Sequence, residues 1–198
     1  MWLCLKAGVG WCISVNDLQT VLDYRQRKDA FFASPQGPLS SEVRATFQGL
    51  KYYPPDPAYQ FTLEPTRRDT LEPLEILTSS GQSAWYLLWG HVTVLFETGP
   101  WSLELYVKEP EENPSSVFIP FKDATNGVET HGGGRYLDAP LENGVLTLDF
   151  NLAYSPFCAY SDGWTCPLPP RANHLSVAIR AGEKLLEQLN SPITAPTP

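Results

Sequence analysis

The sequence predicts a mainly β domain, an antiparallel barrel or sandwich with an N-terminal helix packed on it. Three observations carry this. Short apolar runs recur along the chain, divided by Gly and Pro. Proline is abundant, with 19 residues in 198, which favours strands and fixed loops over long helices. No long helical pattern alternates with the strands, which argues against a doubly wound α/β fold.

The helix is expected over residues 15–33. Ser14 or Asn16 caps it, Asp17 complements the dipole, and Leu18, Val21, Leu22, Arg25 and Phe32 form its stripe. Ser34-Pro35 and Gly37-Pro38 stop it, and residues 40–45 add a helical turn. Strands are expected over residues 47–53, 58–63, 74–78, 84–89, 91–97, 101–107, 117–121, 145–150 and 175–179. Ser-Gly and Trp-Gly turns separate the middle ones. Trp85, Trp89 and Trp101 read as core, and His91 as a strand-edge residue. A short closing helix is expected over 182–189.

The domain plan is an N-terminal arm over residues 1–15, a single β-rich domain over 16–189 and a flexible tail over 190–198. The apolar start is broken by Lys6, has no small-residue cleavage pattern and is too short to span a bilayer. The formal net charge of -8 and the lack of a basic cluster argue against nucleic-acid and membrane partners. The basic residues at 25–28 and Arg67-Arg68 sit beside acidic ones and read as solvated faces. Four cysteines permit disulfides, but a chain of this length does not need them, so a cytoplasmic setting is expected.

Special residues concentrate between Phe118 and His174. The run His131-Gly132-Gly133-Gly134-Arg135 can turn several amides toward one point while Arg135 clamps a carboxylate or phosphate. The simpler reading is a tight turn or bulge between strands, with Arg135 held by a structural aspartate, and the Arg135 guanidinium is expected close to the Asp149 carboxylate. The same letters occur in lipase oxyanion loops, but no G-x-S-x-G elbow accompanies them, so that assignment is rejected.

Asp149 and Asn151 share one face of an extended strand, near Tyr154, as ligand contacts or as a buried network. Cys158 and Cys166 are expected to lie near each other because Pro156 and Pro167 stiffen the flanks of the intervening loop. With His174 they do not make a common zinc pattern, so no metal site and no cofactor is assigned. Trp164 in the same loop can line a pocket. Phe118 and Phe121 read as packing.

The motifs PLSSEVRATFQGLKYYPPDPAY, FIPFKDATNGVETHGGGRYLD, LDFNLAYSPFCAY, CPLPPRAN and IRAGEK resemble the bacterial and archaeal family called domain of unknown function 1684. The resemblance runs from about Tyr24 to Lys184. That family usually has Tyr where this chain has His131. The resemblance implies a shared site but no reaction.

Three functional readings follow. One is a domain that binds a small ligand, an anion fitting Arg135 and the amides, with His131, Gly132, Gly133, Gly134, Arg135, Asp149, Asn151, Tyr154 and Trp164 as contacts. The second is an enzyme with Asp149 as general base or Cys158 or Cys166 as nucleophile. The third is a structural domain with no ligand. Geometry separates them. Arg135, Asp149, Asn151 and Tyr154 either line an open cavity or are paired inside a filled core.

Overall fold

The computed structural model describes residues 2–3, 13–110 and 113–186. Strands β1 (Trp2–Leu3) and β2 (Ile13–Ser14) pair with each other ahead of helix α1 (Val15–Ala33). A short helix α2 (Ser41–Ala45) follows, capped by the Ser40 hydroxyl. Seven strands then form one antiparallel sheet. They are β3 (Gln60–Leu63), β4 (Thr66–Leu77), β5 (Ser83–Phe96), β6 (Gly99–Val107), β7 (Ser116–Phe121), β8 (Arg135–Glu142) and β9 (Val145–Asp149), in the order β3-β9-β8-β7-β6-β5-β4. The sheet curls into a half-barrel. Phe61 of edge strand β3 thereby meets Phe96 of β5, with ring centroids 5.4 Å apart. The expected β class and N-terminal helix are both present. Among the described residues, no helix is long and apolar enough to cross a membrane.

Alternation divides the side chains between two faces. Val92, Val94, Leu103, Leu105, Val117, Ile119, Phe121, Leu137 and Ala139 fill the concave core. The opposite face carries Ile76, Tyr86, Leu88 and Tyr106, with Phe118 packed against them. Helix α1 closes another cluster, in which Phe32 packs with Leu39, Leu50, Tyr160 and Leu186.

Several expectations are corrected. Residues 84–89 and 91–97 form one strand, because Trp89-Gly90 is a bulge against β6 and not a turn. Gly90 is needed there: a Cβ would lie 2.4 Å from the Thr66 carbonyl oxygen of β4. Strand β4 begins at Thr66, well before residue 74, and tolerates Pro73 because it is a sheet edge. Strand β8 is an addition to the expected strands, and it accommodates Pro140 within it.

Residues 47–53 and 175–179 are not strands. The first makes only the bridge Tyr52↔Glu183, ahead of Pro54-Pro55. The second is held by Leu175 N–H to Lys122 O and Ala124 N–H to Val177 O. Residues 182–186 form no helix, and the rest of that expected helix lies outside the described residues, as does the tail.

Trp85 is 60% exposed rather than core, because it alternates with buried Tyr86. Leu18 and Leu22 are also exposed, so the inward stripe of α1 runs through Val21, Arg25, Lys28 and Phe32. The basic segment is therefore not a solvated face. Arg25 donates to the carbonyls of Tyr53 (2.9 Å) and Asn151 (3.2 Å), and Lys28 pairs with buried Glu183 at 2.5 Å.

Candidate functional site

The two arms of the 118–174 block serve different ends. Strand β8 places Arg135 opposite Phe121 of β7, so its side chain enters the concave core and is fully buried. A cation there is costly unless paired and hydrogen-bonded. Arg135 Nη2 meets Asp123 Oδ2 at 2.8 Å and donates to Ile179 O at 2.8 Å. Its Nη1 donates to the carbonyls of Ala181 (2.5 Å) and Glu183 (3.2 Å). The other Asp123 oxygen accepts from the Thr125 amide and hydroxyl, at 2.8 and 2.6 Å. Arg135 thus ties the C-terminal segment to the sheet.

The expected partner, Asp149, is engaged elsewhere. It accepts from the amide and side chain of Asn151, both at 2.8 Å, and from Gln60 Nε2 at 2.9 Å. This caps the 3-10 turn Phe150–Leu152 at the end of β9. Asn151 exchanges two 2.8 Å hydrogen bonds with the backbone of Asp56, which pins the proline-rich loop before β3.

The Gly run is a turn. Gly134 N–H donates to His131 O at 3.0 Å, and Gly134 has φ 102°. A Cβ on Gly134 would lie 2.6 Å from Pro169 Cγ and 2.7 Å from Phe121 O, so glycine is demanded twice over. At Gly132 and Gly133, φ lies outside the left-handed region. His131 is half-buried, and burial, with Lys122 second, lowers its pKa. It lines a polar cavity of about 390 Å³ together with Ser155, Cys158, Tyr160, Asp162 and Lys184.

Tyr154 and Trp164 come together on the opposite face of the sheet. Even-numbered residues of β7 and β8 point there, away from the concave core. The coil from Tyr154 to Leu168 crosses this face and is tied down at both ends. Tyr154 exchanges two backbone hydrogen bonds with Tyr136, at 2.8 and 3.0 Å. At the far end, Leu168 N–H donates to Leu77 O (2.7 Å) and Ser79 N–H to Cys166 O (2.8 Å). Midway, Cys158 N–H donates to Cys166 Sγ at 3.4 Å. The two thiols are therefore adjacent, as their flanking prolines suggested, and both are free. Burial, then Cys166, pushes the Cys158 thiol up to about 11.

Between coil and sheet lies a cleft of about 410 Å³, lined by Tyr86, Lys108, Phe118, Tyr136, Asp138, Tyr154, Phe157, Trp164 and neighbouring loop residues. Four of its rings form a connected wall, and Phe157 and Trp164 make a separate pair. Phe118 stacks on Tyr86 (5.3 Å) and meets Tyr136 edge-on (5.0 Å), Tyr136 meets Tyr154 (5.7 Å), and Phe157 meets Trp164 (4.9 Å). The Tyr136 hydroxyl donates to Pro167 O and the Tyr154 hydroxyl to Asp138 Oδ2 at 2.7 Å. Burial above all raises both phenols' pKa, and Asp138 raises that of Tyr154 further. Lys108 Nζ lies 4.2 Å from the Tyr86 ring centroid.

Of the nominated residues, then, Tyr154 and Trp164 share the aromatic cleft and His131 lines the polar cavity. Arg135, Asp149 and Asn151 are buried in hydrogen-bond networks. Sequence reasoning missed Tyr86, Lys108, Phe118, Tyr136 and Asp138. The available signal was a second aromatic face, alternating with the core face on β7 and β8.

Comparison with known proteins agrees with the fold. The model of a family described as "Protein of unknown function (DUF1684)" matches residues 45–184. A solution NMR structure of an uncharacterized protein of Haloarcula marismortui is similar, with 39% identity and a TM-score of 0.68. The match covers 85% of this chain and 95% of that one. No curated protein matches.

Proposed function

The chain belongs to the DUF1684 family of proteins of unknown function, and from that premise we propose that it is a small-ligand binding domain whose site is the aromatic cleft. One observation carries the reading: six aromatic rings line a cleft of about 410 Å³ beside one cation and one carboxylate. That volume and lining, mostly apolar with few polar groups, suit a small organic molecule. Tyr154 and Trp164 remain ligand contacts in this reading. The Arg135, Asp149 and Asn151 networks hold the surfaces in place.

Residues 16–189 act as the one binding domain, without nucleic-acid or membrane partners. Adjacent unbridged thiols at Cys158 and Cys166 suit a reducing cytoplasm.

A thermal-shift screen against a metabolite panel tests the reading, with Trp164→Ala run beside the native chain. Hits are expected to raise the melting temperature of the native chain but not of the variant. Hits that stabilise both equally place the site elsewhere. A panel without hits favours a purely structural domain.

A further inference from the structure

The cleft is charged differently at its two ends. Tyr86 and Lys108 sit on the β5–β6 side, since Lys108 directly follows β6, whereas Tyr136 and Asp138 sit on β8. Strands β6 and β8 are separated by β7 alone, roughly 10 Å across the sheet. Lys108 and Asp138 are both exposed, so each charge faces solvent at the cleft's rim.

Tyr136 and Tyr154 offer ring faces rather than hydroxyls. The phenols of Tyr136 and Tyr154 are already committed to Pro167 O and Asp138. The fold already seats one ammonium group on this wall: Lys108 Nζ is 4.2 Å from the Tyr86 centroid. Aromatic faces beside a carboxylate attract a cation, and a chain of net charge -8 favours its approach.

A primary ammonium would surrender hydration to a wall with few acceptors, whereas a quaternary one has no N–H to satisfy. A ligand with only positive charge would meet Lys108, and one with only negative charge would meet Asp138. We propose that the cleft takes a compact zwitterion bearing a quaternary ammonium and a carboxylate. The ammonium lies on the Tyr136, Tyr154 and Trp164 rings beside Asp138, and the carboxylate faces Lys108. The assignment rests on the binding reading above.

Three probes of similar shape test it: 4-(trimethylammonio)butyrate, the cation butyltrimethylammonium, and the carbon isostere 5,5-dimethylhexanoate. Each is titrated into the full chain by calorimetry, with the Trp164 indole signal followed by NMR. The zwitterion is expected to bind about tenfold more tightly than either single-charge probe. Asp138→Asn should close most of the gap to 5,5-dimethylhexanoate, and Lys108→Met most of the gap to butyltrimethylammonium. Both residues are exposed, and the native chain alone already ranks the probes.

Equal or tighter binding of 5,5-dimethylhexanoate, with the indole signal still moving, overturns the zwitterion assignment and leaves the cleft as a binding site. If none of the three probes moves the indole, the assignment also falls. Should the metabolite panel then give no hits that depend on Trp164, the binding reading falls with it.

Discussion

Arg135 and Tyr136 are neighbours in sequence and belong to opposite worlds. Arg135 enters the concave core, fully buried, with Asp123 and three backbone carbonyls around it. Tyr136 faces the aromatic cleft, with its hydroxyl tied back and its ring lining the wall. A concentration of special residues therefore need not mark one site. Here it marks a structural anchor and an open cleft, separated by the pleat of one strand.

The sharpest way to break this contrast is Arg135→Ala. It leaves Asp123 buried without its cation, and a loss of about 3–5 kcal/mol is expected in denaturant unfolding. A loss below about 1 kcal/mol would mean that Arg135 is not an anchor. Gly134→Ala probes the same end through the backbone. Its Cβ would press on Phe121 O and Pro169 at a positive φ, for an expected loss of about 1–3 kcal/mol.

His131 gives a pH test of the anchor's surroundings. Burial, then Lys122, holds its folded pKa below the ordinary 6.5. Between the depressed value and 6.5, the unfolded chain binds more protons than the folded one. Stability should therefore rise with pH across that window and be lost as pH falls through it. His131→Gln should flatten this part of the stability–pH curve, and an unchanged slope would assign the effect to another group. The smallest effect belongs to the cleft. Trp164 is 45% exposed, so Trp164→Ala should cost only about 1 kcal/mol in stability. A much larger loss would make the tryptophan part of the core.

The β class was legible because short apolar runs and Gly-Pro punctuation are local signals. The bulge at Trp89-Gly90 was not, since glycine punctuates a turn and permits close strand packing alike. Tyr154 and Trp164 stood out by the unusual composition of their loop. Tyr86, Phe118 and Tyr136 did not, because strands apolar on both faces hide which aromatics face the core. Arg25 read as a surface charge because its partners, the carbonyls of Tyr53 and Asn151, are distant in sequence. The partner of Arg135 was within reach. Pairing β7 with β8 sets Arg135 against Phe121, two residues from Asp123, whereas the period-2 pattern of 149–151 drew attention to Asp149.

The central claim is that ligands enter the aromatic cleft and not the glycine turn. Chemical-shift mapping by two-dimensional NMR, on any compound that stabilises the native chain, tests it most directly. The account predicts shifts at the Trp164 indole and at the amides of Tyr86, Phe118, Tyr136 and Tyr154, with His131 to Arg135 unmoved. Shifts confined to His131 to Arg135, with the Trp164 indole still, would contradict it.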